Sequence, residues 1–107
     1  MASGLNGQNF AFHGYLPVPE AERAQALHEL ERQSRRLRQT QVFIETPYRN
    51  MRLLQSILES CATGTLLCIA TDVTLASEAI RTQTISAWRR SLPRLERRPS
   101  VFLLLAA

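Results

Sequence analysis

The chain has 107 residues, of which 45% are apolar and 21% charged. This is enough for one domain with a buried core and too apolar for wholesale disorder. No apolar run approaches ~18 residues, which excludes a helical membrane span, and Met1 to Gln8 has neither a basic start nor a greasy stretch of the kind a secretory signal needs. The 13 basic residues outnumber the 9 acidic ones, for a net charge of +4 and a pI near 10.0. Every basic residue is Arg, and Asp72 is the only Asp. An all-Arg set is compatible with a GC-rich genome, and also with bidentate phosphate recognition. Cys61 and Cys68 show no metal-ligand spacing and no disulfide framework. They read as small core residues of a cytoplasmic protein that binds no metal.

Asn9 to Tyr15 reads as a strand with Phe10, Phe12 and Gly14 on one face, ended by Pro17 and Pro19. A helix follows from about Pro19, its buried stripe marked by Ala21, Ala24, Leu27, Leu30, Ser34 and Leu37. Acidic residues at its start and Arg35, Arg36 and Arg38 near its end suit the helix dipole. His28 lies beside that stripe, at its boundary with solvent. Gln41 to Glu45 is a short buried strand, and Thr46 to Asn50 is a turn opening a second helix with Met51, Leu54, Ile57, Leu58 and Cys61 inward. Gly64 is the expected stop of that helix.

Thr65 to Thr71 reads as a third strand and Glu78 to Ile85 as a fourth, amphipathic one. The short link between them predicts an antiparallel pair. Ser86 is placed to cap a short helix bearing Trp88 and Leu92 and limited by Pro93. Ser100 to Leu105, apolar on both faces, is a last strand expected at the sheet centre. The order β-α-β-α-β-β-α-β predicts an α/β domain over residues 1–107, a mixed five-stranded sheet with three helices. Parallel neighbours are expected in its first half.

Glycine-rich phosphate loops, paired carboxylates and a nucleophile-base pair are absent from the sequence, so no catalytic residue is assigned. Two loops that follow buried strands lie where α/β proteins bind ligands. Glu45-Thr46-Pro47-Tyr48-Arg49 reads either as such a site or as a helix start with Thr46 as N-cap and Pro47 at N1. Thr71-Asp72-Val73-Thr74 reads either as a site or as an Asx turn. His13, at the end of the first strand, is a further candidate. Arg23 to Arg52 holds seven Arg and three Glu, and Arg89 to Arg98 five Arg and one Glu, each +4. These are solvated helix faces or a phosphate-tracking surface.

Three blocks add a resemblance: Ser3-Gly4-Leu5, Phe10-Ala11-Phe12-His13-Gly14-Tyr15-Leu16-Pro17, and Val42-Phe43-Ile44-Glu45-Thr46-Pro47-Tyr48-Arg49. In this order and spacing the chain resembles the C-terminal domain of the tetrapyrrole (corrin/porphyrin) methylase family, nearest its ribosomal RNA small subunit methyltransferase I branch. Asp72-Val73-Thr74-Leu75, with Glu78 after it, stands where that branch has Glu-Leu-Thr-Lys and a following Glu, and the Lys is replaced.

The resemblance implies the C-terminal half of a two-domain S-adenosylmethionine-dependent methyltransferase whose N-terminal domain is absent from this chain. It implies cofactor contacts at Glu45, Thr46, Pro47, Asp72, Pro99 and Ser100, and a substrate side at Arg49 and Tyr15, to which His13 is added. It also implies a homodimer. The expected activity is methylation of ribosomal RNA at a ribose 2′-hydroxyl. A tetrapyrrole or other small-molecule substrate, and a non-catalytic adaptor or dimerisation module, remain alternatives. With half the cleft missing, the chain alone is expected to bind S-adenosylmethionine weakly or not at all.

Overall fold

The computed structural model describes residues 9–73, 76, 78–95 and 98–106. Ser3 to Leu5, Thr74 and Leu75, which entered the family comparison, lie outside the described residues. Five strands and three helices follow in the expected order. They are β1 (Phe10–Tyr15), α1 (Glu20–Leu37), β2 (Thr40–Glu45), α2 (Asn50–Ser60), β3 (Leu66–Thr71), β4 (Ala79–Thr84), α3 (Ile85–Arg90) and β5 (Ser100–Leu105). The sheet order is β1-β2-β5-β3-β4. Strands β1 and β2 are parallel, while β5 runs antiparallel to both β2 and β3, and β3 pairs antiparallel with β4. The expected parallel neighbours are thus realised only by β1 and β2. The last strand inserts between β2 and β3, because its residues are apolar towards both faces and the centre is the one place that covers both.

One face of the sheet meets the helices. Phe43, Phe102, Leu104, Leu67 and Ile69 pack with Leu27 and Leu30 of α1, Leu53, Leu54, Ile57 and Leu58 of α2, and Ile85 and Trp88 of α3. The Phe43 and Phe102 rings stack at 5.8 Å between centroids. A second cluster on the opposite face, Val42, Cys68, Leu103 and Val101, has no helical member. By register that same face carries Phe12, which pairs with Val42, and Ile80, which pairs with Ala70. Phe12 is 63% exposed and Phe10 49%. Gly14 is separated from them by a register shift after Phe12, and its φ of +68° is one that glycine adopts without strain.

Helix α1 buries Leu27, Leu30 and Ser34 of the expected stripe and adds two charged residues to it. Arg23 and Glu31 are buried with Leu27, Leu30 and Ser34, whereas Ala21 and Leu37 face solvent. Hydrogen bonding is the reason. Arg23 donates from Nε to Ser56 Oγ at 2.8 Å and from an Nη to the Val18 carbonyl at 3.0 Å. Glu31 Oε2 accepts from the Ala62 amide at 2.7 Å and the Thr65 hydroxyl at 2.5 Å, which holds the α2–β3 turn.

Helix ends differ from expectation in the same way. Thr84, not Ser86, caps α3, accepting from the Ala87 amide at 3.2 Å. Helix α2 ends at Ser60, ahead of Gly64, and Arg89 donates to the carbonyls of Leu58 and Cys61 at that end. His28 adds a bond between Nε2 and the Ser60 carbonyl at 3.1 Å. Among the described residues no helix is long and apolar enough to cross a membrane.

Both cysteines are free and buried. Burial, reinforced by Glu31 and opposed by Arg89, pushes the Cys61 thiol from 9.0 up to about 12. Burial also raises Cys68, against a hydrogen bond from Thr82. A raised thiol favours the folded state fully below the unfolded value, and that contribution is lost as pH climbs from about 9 towards 12. Both thiols should therefore resist a thiol-specific reagent at pH 8 in the folded protein and react at once in denaturant. Prompt labelling without denaturant would contradict their burial.

Candidate functional site

The register places the ends of three strands in one row: Glu45 opposite Ser100, and Ser100 opposite Thr71. This brings together the turn after β2, the start of β5 and the residue after β3, segments separated by up to 55 positions in sequence. Glu45, Thr46, Pro47, Asp72, Pro99 and Ser100 therefore share one rim of the sheet. Tyr15 reaches the same end, since it pairs with Ile44, and is exposed. His13 does not. It lies in β1 between Phe12 and Tyr15, beside the middle of β2, and its Nε2 bonds Gln41 Oε1 at 2.5 Å, on the side away from Glu45.

Local bonding shapes each part of the rim. Glu45 Oε1 accepts from the Thr46 amide at 2.7 Å and from Arg49 Nε at 3.3 Å, so its carboxylate organises the turn from inside. The Arg49 amide bonds the Thr46 carbonyl at 3.0 Å, and α2 begins at Asn50 with Arg49 in the cap position. No side chain caps it, so the reading of Thr46 as N-cap is corrected. Thr46 Oγ1 is instead buried without a hydrogen-bond partner. Arg49 keeps its outer guanidinium nitrogens beyond the Glu45 contact, on a side chain 40% exposed.

Opposite the turn, Asp72 sits in the left-handed region at φ 51°, which Asp tolerates better than most residues. Its amide donates to the Pro99 carbonyl at 2.9 Å, and its Oδ2 accepts from Arg98 Nε at 2.9 Å and from an Arg98 Nη at 2.8 Å. Arg98 thus ties the end of β3 to the start of β5.

Asn50 completes the connection and was not singled out by the sequence. Its Nδ2 donates to the Arg98 carbonyl and to Ser100 Oγ, and Ser100 Oγ donates on to the Arg98 carbonyl at 3.0 Å. Asn50 is fully buried, yet its Oδ1 has no partner. The only signal in the sequence is a polar residue at an inward position of α2. Its partners lie about fifty residues away.

Several residues of the Arg-rich segments are engaged within the fold. Arg23 is buried, Arg32 pairs with Glu29, Arg49 with Glu45, and Arg89 holds helix carbonyls. Among the described residues no group of three or more His, Cys, Asp or Glu side chains converges as a metal site would.

No protein-family model matches the chain. Among solved structures it is similar to the methyltransferase CobJ, with a TM-score of 0.58 and 22% identity over 99% of this chain and 45% of that one. It is also similar to cobalt precorrin-4 methyltransferase, CbiF, a cobalamin biosynthetic enzyme, with a TM-score of 0.52 and 15% identity over 92% of this chain and 40% of that one. The fold is tetrapyrrole-methylase-like, as the sequence blocks led us to expect. Over 80 residues, 75% of its length, the chain is 32% identical to ribosomal RNA small subunit methyltransferase I of Vibrio cholerae serotype O1. It spans 26% of that relative.

Proposed function

We propose that the chain is the C-terminal, substrate-side domain of an S-adenosylmethionine-dependent methyltransferase of the tetrapyrrole methylase family, acting in the cytoplasm on ribosomal RNA. The observation that carries the reading is the convergence of the Glu45–Arg49 turn, Asp72 and Arg98–Ser100 on one rim, where Thr46 Oγ1 and Asn50 Oδ1 lack partners. A buried polar atom left unbonded costs about 1–3 kcal/mol. A hydroxyl or amino group of an adenosine at the rim would supply the partner that Thr46 Oγ1 lacks, so the residues present fit the cofactor. Thr46, Pro47, Asp72, Pro99 and Ser100 would line its nucleoside side. Glu45 would act through the turn it holds.

Methyl transfer from a sulfonium is a direct displacement, so the main demands on the protein are orientation and exclusion of water. The rim residues serve the first demand, and a second domain closing over them serves the second. Arg49 and Tyr15 face outward at the same end and are the substrate contacts in this reading. A ribose 2′-hydroxyl would also need a base, which belongs to the other half of the cleft.

Titration of the isotopically labelled chain with S-adenosylmethionine, followed by amide chemical shifts, tests the reading. Millimolar-range shifts confined to Thr46, Asp72, Ser100 and their neighbours are expected. Shifts scattered elsewhere, or none at saturating cofactor, would remove the site. Micromolar affinity for the chain alone would contradict a half-cleft.

A second reading, a tetrapyrrole or other small-molecule substrate, is favoured by the fold's likeness to CobJ and CbiF. Competition of the two substrate classes for the same amides separates them. Homodimerisation belongs to either reading. It is supported by the helix-free sheet face with Phe10, Phe12 and Ile80 exposed, because apolar patches of this kind mark interaction surfaces. Sedimentation should show a dimer at tens of micromolar or above; a clean monomer there would count against it.

A further inference from the structure

A second feature lies on the helical side of the sheet, beside β4. A cavity of about 220 Å³ opens between β3, β4, α3 and the segment leading to β5. Arg81, Arg94 and Arg98 line it, together with Thr71 and the Trp88 ring, and among the described residues no carboxylate does. Arg98 is held by Asp72. Arg81 lies over the Trp88 ring, its guanidinium carbon 5.8 Å from the centroid. Among the described residues neither Arg81 nor Arg94 has a hydrogen-bond or ion-pair partner. Glu78 stands just ahead of β4 and does not line the cavity.

Arg81 and Arg94 stand around one small space together with the Asp72-paired Arg98, and a bound anion is attracted to the two that carry no carboxylate partner. Two of the walls are well fixed. Trp88 donates from Nε1 to the Leu67 carbonyl at 2.8 Å, and β4 is held along its length by β3. The volume is below the ~300–1,000 Å³ usual for pockets that enclose a drug-sized ligand. It suits a phosphate group with part of an attached sugar, and planar guanidinium forks match phosphate oxygens in pairs.

We propose that this cavity is a phosphate-binding subsite, with Arg81 and Arg94 as the binding groups and the Asp72-held Arg98 as one wall. The cavity shares Thr71 and Arg98 with the rim, but its binding groups, Arg81 and Arg94, lie outside it, so their variants test the proposal separately from the methyltransferase reading.

Trp88 is the single tryptophan and lines the cavity, so its fluorescence reports occupancy. The full chain is titrated with inorganic phosphate at constant ionic strength, chloride serving as the control. A saturable change is expected with phosphate and none with chloride. Arg94→Gln, at an exposed loop position, should weaken phosphate roughly tenfold or more, and Arg94→Lys should recover only part of it. Arg81→Gln provides a second variant, with circular dichroism confirming its fold. A response matched by chloride, or unchanged in both glutamine variants, overturns the proposal. A short single-stranded oligoribonucleotide is then run against bound phosphate. Competition assigns the subsite to backbone phosphate of RNA, and phosphate binding without competition assigns it to a small phosphorylated ligand.

Discussion

Trp88→Ala should destabilise the protein by about 3–5 kcal/mol, the usual cost of removing a large aromatic from a core. Trp88 is 2% exposed and forms the contact of α3 with the sheet. Its Nε1 also satisfies the Leu67 carbonyl at 2.8 Å, and alanine would leave that acceptor unpaired in the core. Against a total of about 5–15 kcal/mol for a domain, the loss brings the fold near its limit. Urea denaturation followed by circular dichroism measures it. Trp88→Phe keeps most of the ring and loses only the donor, so it should fall well short of the alanine cost. Equal effects of the two variants would show that the hydrogen bond, not the packing, dominates; a loss under about 1 kcal/mol from Trp88→Ala would contradict its place in the core.

The second large effect concerns Arg49. The Glu45 carboxylate takes its Nε, which aims the rest of the guanidinium outward from the rim. Lysine would keep the charge and lose the fork. In a protein carrying both halves of the cleft, Arg49→Lys should therefore weaken binding of an anionic substrate by about 1.5–3 kcal/mol, roughly ten- to a hundredfold. Cofactor affinity should change little, because the proposed nucleoside contacts are Thr46, Asp72 and Pro99–Ser100. Parallel titrations of substrate and cofactor on the variant decide the point. Intact substrate binding, or a selective loss of cofactor, would return Arg49 to a role in the turn alone.

The sequence by itself determined the eight elements and their kinds. Periodicity of two or of three to four, with prolines at Pro17, Pro19 and Pro93 as punctuation, locates each of them, because local backbone preference and one-sided burial act within a few residues. It also placed β5 at the centre, since a strand apolar on both faces needs cover on both. Thr46 and Asp72 could be marked as candidate site residues because each follows a buried strand, whereas only the family resemblance marks Ser100.

What only the tertiary structure decided rests on partners far apart in the chain. Arg23 and Glu31 turn inward on α1 because Ser56, Ala62 and Thr65 are there to meet them, and a hydropathy stripe sees only α1. Thr84 replaces Ser86 as a cap because β4 ends one residue before α3 begins. Asn50 joins the rim through Arg98 and Ser100, and Arg81 and Arg94 share a cavity across β4 and the loop after α3. Charged and polar side chains obtain their meaning from where the chain returns to them, because a buried polar group is tolerated only beside a partner, and the partner's position is a property of the whole fold.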